Sequence, residues 1–186
     1  MKVKVAETAG FCFGVKRAVD RVYQLIEAGT HPIYTLGPII HNEEVVSDLA
    51  AKGVQVIEEK DLTSLADGTV VIRSHGVGKA IYQELEQNHL DYVDVTCPFV
   101  LKIHRIVAKQ SLAGKHIVIF GDPDHPEVKG ICGWCEGSYT VLKNREDAEQ
   151  FIPPAEKDIC VVSQTTFNYN KFKELVEILC KKRYDN

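Results

Sequence analysis

Tyr92-Val93-Asp94-Val95-Thr96-Cys97-Pro98 lies near the middle of the chain, and its reading decides the rest. Val93 and Val95 suit a short strand. Pro98 has no N–H to give to a ladder, so the strand is expected to stop at Cys97. Beyond it Val100, Ile103 and Val107 recur at helical spacing, and Pro98 fits the first turn of that helix. Cys97 therefore stands where a strand hands over to a helix, on the edge where open α/β sheets bind ligands. A buried structural thiol is the common fate of a lone cysteine. Here the same junction recurs along the chain with other reactive side chains.

Upstream, Thr69–Ile72 reads as a β-branched, buried strand running into Ser74-His75-Gly76-Val77-Gly78, with Ile81 and Leu85 marking a short helix. Ile33–Leu36 is a strand closed by Gly37-Pro38 and followed by His41-Asn42. Asn42 is the expected N-cap of a helix bearing Val45, Val46, Leu49 and Ala50, and Val54–Ile57 is a further strand. At the start of the chain, Val3 and Val5 predict a strand ending near Glu7-Thr8. Gly10-Phe11-Cys12-Phe13-Gly14 then turns into a helix with Val15, Ala18, Val19, Val22 and Ile26 on one face.

Downstream, residues 117–120 form a strand that leads into Gly121-Asp122-Pro123-Asp124-His125-Pro126-Glu127. A short helical or irregular piece holds Cys132-Gly133-Trp134-Cys135. Tyr139–Leu142 is a strand, 146–151 a brief helix, and Ile159–Ser163 the last strand, before Gln164-Thr165-Thr166. Phe172, Leu175, Val176, Leu179 and Cys180 define an amphipathic closing helix. This alternation predicts an α/β fold of two small parallel-sheet domains. The first, 1–96, carries Cys12, His41 and His75; the second, 97–186, carries Cys97, His125, Glu127 and Thr165.

The 186 residues can bury a core in each of two such domains, and 45% hydrophobic with 26% charged residues is a globular composition. A net charge of -4 gives no reason to expect nucleic acid. No run of about 18 apolar residues predicts a membrane span, and Met1-Lys2-Val3-Lys4-Val5 does not read as a signal peptide. A cytoplasmic location is therefore expected, with the six cysteines reduced and available for metal or chemistry.

The reactive residues suggest specific chemistry. Cys12 and Cys97, two separated thiols beside glycine or proline, suit a soft metal or an iron–sulfur cluster. His41, His75 and His125, with glycine-rich backbone at helix starts, suit a diphosphate. Glu127, beside His125 and partly desolvated, would deliver protons, and Thr165 would position a substrate hydroxyl. Cys132 and Cys135 have the spacing of half a zinc site or of a redox dithiol, which makes a metal-binding or redox module the alternative reading. No second pair accompanies them, and a structural role is the simpler account. Cys160 and Cys180 are expected in the core, and His31, His89, His104 and His116 carry no assigned role.

Six motifs, in order, resemble the 4-hydroxy-3-methylbut-2-enyl diphosphate reductase family, the last enzyme of the non-mevalonate isoprenoid pathway. They are Gly10-Phe11-Cys12-Phe13-Gly14-Val15, His41-Asn42, Ser74-His75-Gly76-Val77, Asp94-Val95-Thr96-Cys97-Pro98, His125-Pro126-Glu127-Val128 and Gln164-Thr165-Thr166. The resemblance implies three domains around a central 4Fe-4S cluster held by three cysteines. Cys12 and Cys97 match two of these, and the third ligand is expected beyond residue 186, in a third domain. It implies substrate binding by His41, His75, His125 and Thr165, with Glu127 as proton donor. The implied reaction is a two-electron reductive dehydration of an allylic diphosphate to isopentenyl and dimethylallyl diphosphates, with ferredoxin or flavodoxin as electron donor. Lacking the third ligand, this stretch alone is expected to be inactive.

Overall fold

The computed structural model describes residues 2–7 and 9–184. They form two compact units, the first running up to Ser74 and including Leu85–Cys97, the second made of His75–Glu84 and the residues from Pro98 onward. The elements in chain order are α1 (Phe13–Glu27), β1 (Ile33–Leu36), α2 (Glu43–Ala51), β2 (Val54–Ile57), β3 (Thr69–Ile72), α3 (Lys79–Gln87) and β4 (Asp91–Asp94). They continue as α4 (Pro98–Leu112), β5 (His116–Phe120), α5 (Pro126–Cys132), β6 (Tyr139–Leu142), α6 (Arg145–Gln150), β7 (Ile159–Ser163) and α7 (Tyr169–Tyr184). A 3₁₀ helix at Glu59–Ser64 joins β2 to β3 and was not expected from the sequence.

The first unit holds a sheet of order β2-β1-β3-β4, parallel throughout. Its α1 buries Ala18, Val19, Val22 and Leu25, one stripe of a 3.6-residue repeat, against Ile33, Val54 and Val71. Gly29 ends α1 in the left-handed region (φ 73°), where a side chain would be strained. Asn42 caps α2 as expected, its Oδ1 accepting from Val45 N at 3.1 Å, with Glu43 and Glu44 favourably placed in the first turn. Val70, Val71 and Ile72 are fully buried, as the unbroken apolar run of β3 requires of a strand covered on both faces.

The second unit holds a parallel sheet of order β6-β5-β7. Ile117 and Ile119 of β5 face Val107 of α4 and Val128 and Ile131 of α5. Val118 and Phe120 face the other way, onto Ala148 of α6 and Leu175 and Leu179 of α7. Phe120 also meets the Phe172 ring edge-on at 5.6 Å. Burying a side chain of that size stabilises by about 1.5–3 kcal/mol.

Several expectations meet corrections. Val3 and Val5 form no strand; they are 79% and 75% exposed, with no described edge to pair with, and Thr8 lies outside the described residues. β4 ends at Asp94 rather than Cys97, because the Asp94 carboxylate accepts from Thr96 N (2.8 Å) and turns the chain. Val95 N and Cys97 N nevertheless still donate to Ile72 O and Ser74 O along β3. Beside the expected division at 96/97, the compact units keep Cys97 with the first and place His75–Glu84 with the second. Cys180 is exposed instead of core-facing, since one residue beyond buried Leu179 turns about 100° around the helix.

Candidate functional site

In the first unit the expected ligands gather at the start of α1. Cys12 is its N-cap residue, yet its side chain makes no capping bond and is exposed. Cys97 is half-buried and enters from the β3 edge, its N–H bonded to Ser74 O at 2.9 Å. Gly14 explains how Cys97 reaches α1. A Cβ at Gly14 would fall 2.8 Å from Cys97 Sγ, so only glycine lets that thiol rest on the first turn that Cys12 begins. Both cysteines are free thiols.

Arg17, one turn further along α1, donates through Nη2 to the carbonyl of Thr96, the residue before Cys97. Cys97 is thus bracketed by Arg17 at Thr96 O, by Asp94 at Thr96 N and by Gly14 beneath its sulfur. Sequence reading missed Arg17 and Asp94. An arginine on a helix and an aspartate in a strand carry no local signal of what they will hold. Arg17, Lys16 and Arg21 line an open cleft of about 410 Å³ together with Phe13, Asp20 and Val93. His41 lies in this unit too, exposed and just ahead of the Asn42 cap.

In the second unit the remaining candidates do come together. His125 is the N-cap of α5, its Nδ1 accepting from Glu127 N at 3.1 Å. That bond leaves the proton of a neutral ring on Nε2. The sequence read this stretch as a loop; the helix starts earlier, because Pro126 fits a first turn that His125 caps. The His75 ring meets His125 edge-on, with centroids 5.5 Å apart. Glu127 is only 2% exposed. Its Oε1 accepts from Thr165 N (2.6 Å) and its Oε2 pairs with Thr165 Oγ1 (2.9 Å). These bonds offset the desolvation of the carboxyl and fix its direction.

Cys132 and Cys135 fit the alternative reading poorly. Burial, then neighbouring Cys132 and Cys160, push the Cys135 thiol up to about 12, and burial also raises Cys132 and Cys160. Thiols held protonated near neutral pH are weak nucleophiles, which counts against a reactive dithiol. Among the described residues no group of three or more His, Cys, Asp or Glu stands ready to hold a metal ion. Nor is any described helix long and apolar enough to cross a membrane.

The sequence profile of the LytB protein family matches residues 3–186. The 4-hydroxy-3-methylbut-2-enyl diphosphate reductase of Alkaliphilus oremlandii (strain OhILAs) is 45% identical over 183 residues, covering 98% of this chain and 64% of the relative. That of Thermoanaerobacter sp. (strain X514) is 48% identical over 181 residues, covering 96% and 62%. The chain thus spans less than two thirds of the length of these relatives. Among solved structures, the E-1-hydroxy-2-methyl-but-2-enyl-4-diphosphate reductase from Plasmodium falciparum superimposes with a TM-score of 0.87 at 29% identity, covering 95% of this chain and 55% of that one. An (E)-4-hydroxy-3-methyl-but-2-enyl diphosphate reductase, the terminal enzyme of the non-mevalonate pathway, superimposes with a TM-score of 0.82 at 36% identity, covering 97% and 64%.

Proposed function

Because the chain belongs to the LytB protein family, we propose that it supplies just under two thirds of a 4-hydroxy-3-methylbut-2-enyl diphosphate reductase, with two cluster ligands and most of the substrate-handling side chains. The observation that carries this reading is the approach of the free Cys97 thiol to the turn of α1 that Cys12 begins. Two soft, accessible thiols at one helix start fit part of the ligand set of a 4Fe-4S cluster. The remaining cysteine ligand is assigned to the part of the relatives beyond the matched length. When bound, the cluster supplies electrons and a Lewis-acidic iron for departure of the allylic hydroxyl.

The reaction consumes two electrons and two protons and releases water with the isopentenyl and dimethylallyl diphosphates. His41, His75 and His125 are assigned to the anionic end of the substrate, where an N–H from each ring can donate to phosphate oxygens. For His125 that donor is Nε2–H, because Nδ1 is engaged by the helix cap. Glu127 is assigned as proton donor and Thr165 as the hydroxyl that orients the departing group. The Glu127–Thr165 pairing suits a proton passed from the carboxyl through Oγ1 while bulk water is kept from the acid. A ferredoxin or flavodoxin is the assigned electron donor.

Iron and sulfide analysis after anaerobic reconstitution tests the reading. Brown protein that loses iron and sulfide on Cys12→Ser or Cys97→Ser supports it. Zinc instead, lost on Cys132→Ser, would sink it in favour of the dithiol alternative. Turnover by this stretch alone is expected to fall far below that of full-length relatives under the same strong reductant.

A further inference from the structure

His75 follows a strand of the first unit but packs with the second, and the residues that hold it there have no part in the reactions above. The Trp134 indole donates through Nε1 to Val77 O at 2.9 Å. Lys79 N donates to Gly133 O at 3.3 Å, and Lys79 Nζ pairs with Glu136 at 2.6 Å. Gly78 and Gly133 meet backbone to backbone: a Cβ on Gly133 would fall 2.5 Å from Gly78 Cα. A Cβ on Gly130 would stand 3.4 Å from Gly76 O. Residues 76 to 79 are therefore gripped one after another by the stretch from Gly130 to Glu136.

Trp134 is itself braced. Its ring stacks on His104 (5.4 Å), a side chain only 1% exposed, and meets Tyr82 edge-on at 5.8 Å. The grip ends just after His75, whose ring is the one that reaches His125. Packing alone does not require an indole N–H aimed at a carbonyl two residues from a reactive histidine. Because α5 begins at the His125 cap and runs directly into Gly133-Trp134, one short element fixes both imidazoles.

We propose that Trp134, seated by Gly133, is a positioning residue that holds the His75 loop so that the His75 and His125 rings present one two-imidazole cradle to a diphosphate. The inference rests on the reading of these histidines as the anion-binding side of a reductase. It assigns a structural purpose to the Cys132-x-x-Cys135 stretch, since Trp134 lies inside it.

The experiment uses the 186-residue chain, with histidine ring resonances followed by NMR and inorganic pyrophosphate as the probe. Trp134→Leu and Trp134→Gln are close in size, but only Gln keeps an N–H donor for Val77 O. Trp134→Leu is expected to move the His75 ring resonances and to weaken pyrophosphate binding about fivefold, the worth of one neutral hydrogen bond. Trp134→Gln is expected to recover most of both. Trp134→Phe, which keeps the stack on His104 and loses only the donor, is expected to follow Leu, and its melting temperature separates misplacement from unfolding. Wild-type His75 signals and affinity in Phe and Leu alike would overturn the proposal, as would equal losses in Leu and Gln. A wild-type chain that ignores pyrophosphate, while Phe and Leu still displace the His75 signals, would instead remove the anion-site reading and leave the positioning role standing.

Discussion

The two units present reactive groups at the same kind of strand edge but hold them by opposite means. In the first, Cys97 is set by main chain: a ladder bond to Ser74 O, the bracketed Thr96 peptide and the bare surface of Gly14. Among the described residues its sulfur makes no side-chain hydrogen bond of its own. In the second, Glu127 is set by side-chain bonding to Thr165 and is almost fully enclosed. Placed through its neighbours, Cys97 keeps its sulfur lone pairs unspent, as the proposed role of metal ligand requires. Bonded itself, Glu127 is dry and directed, as the proposed role of proton donor requires.

Breaking each device separately tests that contrast. The largest effect is expected from Gly14→Ala. Alanine should strengthen an α-helix by about 1 kcal/mol, yet here its Cβ would displace Cys97 Sγ. Loss of most of the reconstituted iron and sulfide with no loss of thermal stability is the expected result; full retention would refute the main-chain account of Cys97. Next comes Thr165→Val, which leaves Glu127 Oε2 without its hydroxyl partner. The expected cost is about 1–3 kcal/mol in urea unfolding, with Thr165→Ser close to wild type. Equal stability of the two variants would mean that the hydroxyl bond contributes nothing.

A smaller, pH-dependent effect is expected at the opposite end of β5. His116 is buried between Ser138 and Thr140 and stacks on Phe151. Burial, and then Lys157, lower its pKa from the ordinary 6.5. The folded state therefore favours the neutral ring, and the unfolded state binds a proton first as pH falls. The stabilisation is complete above the unfolded value and is lost as pH falls below it through the folded value. Denaturation midpoints measured from pH 7.5 to 5 should fall in wild type and flatten in His116→Gln. The smallest effect is expected from Lys16→Ala, whose ion pair with Asp20 (2.6 Å) is exposed at both ends. Breaking it should change stability by no more than about 0.5 kcal/mol, and a larger loss would give the cationic face of α1 a part in holding the fold.

Much of this was legible beforehand, for identifiable reasons. β3 and β5 are continuous apolar runs, which parallel, doubly covered strands require, and Asn42 announces α2 by a local hydrogen bond. Cys97, His75, His125, Glu127 and Thr165 stood out as candidates because each follows a strand; Cys12 stood out in the same way, although the strand expected before it does not form. The misses share another character. Val3 and Val5 alternate like a strand, but a strand needs an edge, and alternation cannot supply one. Cys180 was placed inward by a helical stripe drawn one residue too wide. The start of α5 was hidden by prolines that read as a loop until His125 is seen capping it.

Local covalent and steric rules, acting over a few residues, wrote the order of elements, their parallel pairing and the residue types at the strand ends into the chain. Partners distant in sequence could be assigned only by the folded molecule. Arg17 meets Thr96 across 79 positions, Trp134 meets Val77 across 57, and Thr165 meets Glu127 across 38. No periodicity encodes such pairs, because a hydrogen-bond donor carries no record of which carbonyl it will find. That choice is made when burial brings the two together and leaves each no water to bond instead.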